Sequence, residues 1–195
     1  MIQHSSGGKA INAAPFNSLA CPLDGKALSR HGTTWRCASE HSFDIARQGY
    51  IHLLPVQKKR SADPGDSKMM VAARQHFLNA GHYQPIADTV NRAVLTEFPT
   101  NTTASCLDAG CGEGYYLRRL RTAAGGKKHS LALMGLDISK WAVISAAKQA
   151  ATMSEPTTTS IIPWSNWVVG SNANLPVLSN TLNGLLCIFG FPVYN

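Results

Sequence analysis

Two groups of residues in this chain have the types and spacing to do chemistry. The first is the turn Gly110-Cys-Gly112-Glu-Gly114, set between an apolar run ending in Leu107-Asp108 and an amphipathic run from Tyr115 to Leu120. Glycines there remove Cβ atoms where the backbone must turn sharply, so that a ligand can lie against it. The helix start that follows offers free backbone N–H groups. Asp137 ends a second apolar run, Leu131–Leu136, and lies 23 residues after Gly114. In nucleoside-binding βαβ units an acid about 20 residues on binds the ribose hydroxyls. The second group is Cys21, Asp24, Cys37 and His41, a Cys-x2-Asp and a Cys-x3-His pair on either side of a strand-like Thr33–Arg36. Two close pairs joined by a hairpin are how a zinc ribbon brings four ligands to one tetrahedral point. Three of these are good zinc ligands, while Asp24 offers oxygen where structural sites prefer sulfur and nitrogen. A metal-free hairpin with Cys21 and Cys37 as small apolar fillers is the alternative.

The elements that must position these residues can be read in chain order. Residues 1–18 read as a flexible tail and 19–56 as a zinc-ribbon-like β module, with Phe43–Leu54 completing it. Residues 57–82 read as a basic linker (Lys58-Lys59-Arg60) and a helix that Asp66 or Ser67 caps and that runs from Met69 to Leu78. Residues 83–195 read as an α/β unit. It starts with a helix opened by Pro85 and reaching Phe98, followed by the strand to Asp108, the glycine turn and its helix. The strand to Asp137 follows, then a helix through Ala142–Ala151 and a polar loop Met153–Ser160. A third strand is expected at Trp167–Gly170 and a fourth at Thr181–Phe189, apolar enough to be buried on both faces.

Composition bounds the class. The 195 residues include 44% hydrophobic and 15% charged residues, enough to bury a core. No apolar run approaches the roughly 20 residues of a membrane span, and no signal-peptide core opens the chain, so no membrane partner is expected. Five cysteines, two of them around the glycine turn, fit a reduced cytoplasmic protein. The net charge of +7 is uneven, with +5 in residues 1–82 and +2 in the rest. That asymmetry suits a polyanion met by the first half, although ordinary solubilising charge reads equally well.

The Leu-Asp-Ala-Gly-x-Gly-x-Gly form resembles the first motif of class I S-adenosylmethionine-dependent methyltransferases more than the Gly-x-Gly-x-x-Gly of dinucleotide enzymes. The resemblance extends much further. His-Ser-Phe-Asp-Ile-Ala-Arg-Gln-Gly-Tyr-Ile-His-Leu-Leu-Pro, then Asp-Pro-Gly-Asp-Ser, Ala-Gly-His-Tyr-Gln-Pro and Leu-Asp-Ala-Gly-Cys-Gly-Glu-Gly-Tyr-Tyr, resemble the bacterial large-subunit (23S) rRNA guanine-N1-methyltransferases. The resemblance implies a Rossmann-like class I domain behind a zinc module that recognises a 23S rRNA hairpin, with S-adenosylmethionine and zinc as cofactors. Cys21, Cys37 and His41 match three zinc ligands, and Asp24 stands where the family has a cysteine. Tyr83, Gly112 and Glu113 match positions that contact the cofactor. Asp108, Gly110 and Asp137 complete the candidate cofactor set together with Asn172, which occupies the place where many methyltransferases hold an acid near the adenine amino group.

Family members continue past the point where this chain stops. The expectation is therefore a domain holding four strands in the order 3-2-1-4, with strand 4 an apolar edge open to a partner, including a second copy in a homo-oligomer. No His, Asp or Glu in residues 83–195 can be assigned from sequence to remove the guanine N1 proton, so the catalytic residue is unknown. A non-catalytic RNA-binding remnant and a small-molecule methyltransferase are the alternative functions.

Overall fold

The computed structural model describes residues 16–58, 61–125, 129–153 and 165–190. Residues 1–15 of the expected tail, Lys59 and Arg60 of the basic segment, most of the 153–160 loop, and Phe191-Pro192 lie outside them. The first unit is a three-stranded antiparallel meander, β1 (Ser29–His31), β2 (Thr34–Arg36) and β3 (Ser42–Asp44). The second is a five-stranded sheet whose named strand pairs are all parallel, in the order β4-β7-β6-β5-β8. Its strands are β4 (Tyr50–His52), β5 (Thr103–Ala109), β6 (Ser130–Asp137), β7 (Ser165–Val169) and β8 (Gly184–Leu186). The strands expected as 3-2-1-4 are β7-β6-β5-β8, in that order.

Four helices accompany the strands: α1 (Lys68–Asn79), α2 (Gln84–Glu97), α3 (Tyr115–Gly125) and α4 (Lys140–Thr152). Their starts follow from local chemistry. The Ser67 hydroxyl accepts from Met70 N at 3.3 Å and caps α1. Pro85 lies in the first turn of α2, where its missing N–H is no loss. The Ser139 hydroxyl accepts from Ala142 N and donates to the Asp66 carbonyl at 2.6 Å, so it caps α4 and ties it to the segment before α1.

Alternation along the strands sorts the core into two layers. Cys106, Leu133, Trp167 and Val169 pack with Leu117 and Leu120 of α3, Val143 and Ala146 of α4, and Leu95 and Phe98 at the end of α2. Their neighbours on the other face, Leu107, Met134, Leu136 and Val168, pack with Phe16, Leu19, Leu28, Trp35 and Cys37. The meander therefore covers the face of the sheet opposite the helices. Bonds from Asn166 Nδ2 to the Phe16 carbonyl (2.7 Å) and from Ala20 N to the Pro176 carbonyl (2.9 Å) fasten it there.

Two elements differ from the sequence reading. The run Phe43–Leu54 does not stay within the small unit, because β4 crosses to pair in parallel with β7. Tyr50 and Ile51 are both buried, Tyr50 in the helix-side core and Ile51 in the meander-side core, and only a sheet covered on both faces can bury adjacent residues this way. The fourth strand spans only Gly184–Leu186, and its Leu185 is 54% exposed at the sheet edge. Asn183 shortens it from the front by exchanging its own N–H and side-chain oxygen with the Ser105 backbone. Phe189, at φ +58°, turns the chain away behind it.

Candidate functional site

Strand β5 ends in the turn Gly110–Gly114, and all three of its glycines have positive φ: +86°, +55° and +82°. L-residues rarely adopt such values, so the turn depends on glycine for conformation as well as for space. Gly114 also needs the space, since a Cβ there would lie 2.5 Å from the Trp167 ring. Gly112 is different. The first thing its Cβ would meet is Arg74 Cδ at 4.0 Å, so its outward side is open. A Cβ on Gly110 would first meet Asn172 Nδ2 at 3.6 Å, which puts Asn172 beside the turn.

The turn is held from beneath by β6. The Leu136 carbonyl accepts from Gly110 N and Cys111 N at 2.8 and 2.9 Å. Asp137 Oδ2 accepts from Gly112 N at 2.9 Å, and its Oδ1 accepts from Ser139 N at 2.8 Å. Burial pushes the Asp137 carboxyl up; these two amides and Arg74 pull the other way. Each oxygen still has a lone pair for a hydroxyl group. Asp108 is the more exceptional acid. It is 1% exposed, neither carboxylate oxygen has a hydrogen-bond partner, and burial together with the nearby Asp137 charge pushes its carboxyl up to about 7. A buried acid with both oxygens unsatisfied is suited to a cationic or N–H-bearing ligand.

Glu113 lies in the turn, but its carboxylate points inward. Oε2 accepts from Arg118 at 2.7 Å and from Gln149, and the side chain is 0% exposed. Only the backbone of Glu113 is available at the opening. Tyr83, at the start of α2, packs its ring edge-on to Phe77 of α1 and at a tilt to Phe189 after β8. Together with Arg74, Tyr116 and the glycine turn these rings enclose a cavity of about 280 Å³. The structure thus gathers Tyr83, Gly110, Gly112 and the Glu113 backbone around one opening, with Asp108, Asp137 and Asn172 beside or beneath the turn.

Sequence reasoning missed Arg74, Phe77, Tyr116 and Phe189. The signal for Arg74 was its charge on the helix after Asp66, the residue it pairs with at 3.1 Å. Gly65, at φ +84°, lies so close to Ile138 and Ser139 that the segment preceding α1 packs directly onto the end of β6. That long-range contact had no local signature.

The second group also assembles. The ligand atoms of Cys21, Asp24, Cys37 and His41 all lie within 4.8 Å of one another. His41 Nδ1 is 3.5 Å from Cys21 Sγ, 3.4 Å from Cys37 Sγ and 3.4 Å from Asp24 Oδ2, and Cys37 Sγ is 3.6 Å from that same oxygen. Zinc bonds of about 2.3 Å to sulfur and about 2.0–2.1 Å to nitrogen, at the tetrahedral angle, separate neighbouring ligand atoms by about 3.5 Å. The cluster therefore fits one zinc ion. Two backbone turns build it: Gly25 N donates to the Cys21 carbonyl at 2.8 Å, and Glu40 N to the Cys37 carbonyl at 3.0 Å. Desolvation pushes the Asp24 carboxyl up, but hydrogen bonds from Cys21, Lys26 N, Ser39 and Cys37 outweigh it and hold the group well below the usual carboxylate range. Asp24 is thus ready to ligate as an anion.

Comparison with known proteins agrees with both sites. Residues 19–62 match the family model of the RlmA N-terminal zinc ribbon. The chain is 35% identical over 130 residues to a 23S rRNA (guanine(748)-N(1))-methyltransferase of Streptomyces fradiae, covering 67% of this chain and 44% of that protein. It is 34% identical over 150 residues to "Putative 23S rRNA (guanine-N(1)-)-methyltransferase" of Micromonospora griseorubida, covering 67% and 47%. The chain thus spans about half the length of these curated relatives. Among solved structures it resembles a "putative s-adenosyl-l-methionine-dependent methyltransferase" of Methanococcus maripaludis, with a TM-score of 0.50 and 19% identity over 67% of this chain and 54% of the other. The fold is that of a class I methyltransferase domain behind a zinc ribbon.

Proposed function

We propose that this chain, which belongs to the RlmA-type family, binds S-adenosylmethionine at the glycine turn and zinc at the ribbon, and methylates N1 of a guanine in a 23S rRNA hairpin. The observation that carries the reading is the buried, unpartnered Asp108 carboxylate under an open glycine turn whose amides are fixed by Asp137. When bound, S-adenosylmethionine supplies a methyl group on a sulfonium centre. In this reading Asp108 takes the ammonium of the amino-acid tail, and Asp137 accepts from the ribose hydroxyls with its remaining lone pairs. Asn172 lies where it can hydrogen-bond the adenine edge, and Tyr83 closes the mouth. Glu113 acts through its backbone at the start of α3, while Arg118 and Gln149 fix its side chain.

Guanine N1 carries a proton and is a poor nucleophile until that proton leaves. The described residues lining the cavity offer no imidazole, and their one carboxylate, Glu113, is engaged by Arg118 and Gln149. These residues contribute positioning, which can itself supply much of a rate enhancement by aligning N1 with the methyl group. Cytoplasmic residence accords with the reduced cysteines, the residues described form no disulfide, and no described helix is long and apolar enough to cross a membrane.

The test is to incubate the chain with S-adenosylmethionine and a 23S rRNA hairpin fragment, digest the RNA and look for N1-methylguanosine by mass spectrometry. Its formation, abolished by Gly112→Val, is the expected result. A chain that binds both ligands yet makes no methylated base would leave the RNA-binding alternative standing in place of the enzyme.

A further inference from the structure

We propose that the aromatic rim of the cavity is a stacking site for a single unpaired nucleobase of the RNA, with Phe189 as its principal platform. This rests on the methyltransferase reading above and assigns the rim to the target base instead of the cofactor. Four rings form a continuous series. His82 stacks on Phe77 at 4.8 Å between centroids, Phe77 meets Tyr83 edge-on at 5.2 Å, and Tyr83 meets Phe189 at 5.6 Å. Phe77 is 44% exposed and Phe189 69% exposed, an unusual disposition for large apolar rings beside a cavity.

Phe189 adds a second, independent observation. Its φ of +58° is a conformation that a bulky residue avoids, and the strain goes to holding an apolar ring outward where packing gains nothing from it. The topology assigns the two ends of the crevice. Asp137 ends β6 on one side of β5, and Phe189 follows β8 on the other. A nucleoside held by Asp137 lies toward β6 and β7, leaving the rim on the β8 side for a different planar group. The net charge of +7 and Arg74 at the cavity edge favour a polyanion as the carrier of that group. Aromatic platforms take unstacked bases from single strands in this way, and base chemistry requires the base to leave its stack.

The test uses the full chain saturated with S-adenosylhomocysteine, and two probes: 2-aminopurine riboside and an rRNA hairpin carrying one 2-aminopurine in its loop. Wild type is expected to quench both. Phe189→Ala should weaken hairpin binding about tenfold and abolish the quenching, whereas Phe189→Trp retains both. Phe189→Gly separates this from a structural role: it relieves the φ strain, so the thermal midpoint should hold or rise while quenching is lost. A merely structural phenylalanine predicts a lower midpoint. Unchanged quenching and affinity in Phe189→Ala and Phe77→Ala would overturn the stacking site while leaving the methyltransferase reading intact. A wild-type chain that binds neither cofactor nor hairpin would overturn both.

Discussion

The zinc ribbon and the glycine turn hold their ligands by opposite means. In the ribbon, short backbone turns present side-chain atoms. Its three strands are three residues each, only Trp35 among them is fully buried, and the four ligand atoms lie at one point. In the turn, side chains and carbonyls hold the backbone, and the backbone presents itself. Asp137 and Leu136 fix three consecutive amides above a fully buried sheet. The difference teaches that the first site depends on its metal for shape, while the second is shaped by its core and merely receives a ligand. They are not independent, because Trp35 and Cys37 share a core with Leu107, Met134 and Leu136, the residues next to Asp108 and Asp137.

The largest expected effect tests the metal half. Chelating zinc should unfold the ribbon, because a small β unit with so little core of its own depends on its ligand cluster. Trp35 emission should shift red while far-UV helix signal persists, and added zinc should reverse the change. Asp24→Cys should tighten zinc on the order of tenfold, since thiolate suits zinc better than carboxylate. Elemental analysis that finds no zinc in either protein would reduce the cysteines to packing residues.

Next in size is Gly114→Val, which tests the core half. With φ at +82° and its Cβ 2.5 Å from Trp167, the substitution should destabilise the sheet by about 3 kcal/mol or more, read by denaturant unfolding. Zinc content should be unaffected. A loss below about 1 kcal/mol would mean that the turn is not wedged against Trp167 as described.

The sequence carried much of this contrast but not its connection. Both ligand sets were legible because their geometry is local: glycine spacing reports backbone demands, and Cys-x2-Asp and Cys-x3-His report turns. The order of β7-β6-β5-β8 followed from alternating apolar runs and helices. What could not be read was long-range. Ile51 and Tyr50 look like one more ribbon strand until β7 is present to pair with them. Glu113 looks like a ligand contact until folding brings Gln149 of α4 beside Arg118. The rim residues Phe77 and Phe189 are 112 positions apart in the chain, and no periodicity links them.

A smaller effect concerns pH. Asp108 titrates near 7 in the folded chain against about 4 when unfolded, so the folded state binds more protons between those values. Its contribution to stability therefore falls as pH rises from about 4 to about 7 and is flat above. Asp108→Asn should remove that slope in the cofactor-free protein. A cationic ligand group prefers the ionised acid, so cofactor affinity in the wild type should rise as pH climbs through about 7. Unfolding curves and titrations across pH 4–8 would check both. The smallest effect is on RNA: replacing Lys58, Lys59 and Arg60 with Ala should lower the salt dependence of hairpin binding by about 0.7–0.9 in log–log slope per phosphate released, with cofactor binding unchanged. A mutant with the wild-type slope would take this segment out of the RNA footprint.

The most direct measurement is a calorimetric titration of wild type and Gly112→Val with S-adenosylhomocysteine. Space above Gly112 is open to the cavity, so the valine should cost about 1–2 kcal/mol of stability through its φ of +55° alone and still leave a folded protein. The account predicts one equivalent bound by wild type and no measurable heat from the variant. Equal affinities in the two proteins, or no binding by a folded wild-type chain, would contradict it.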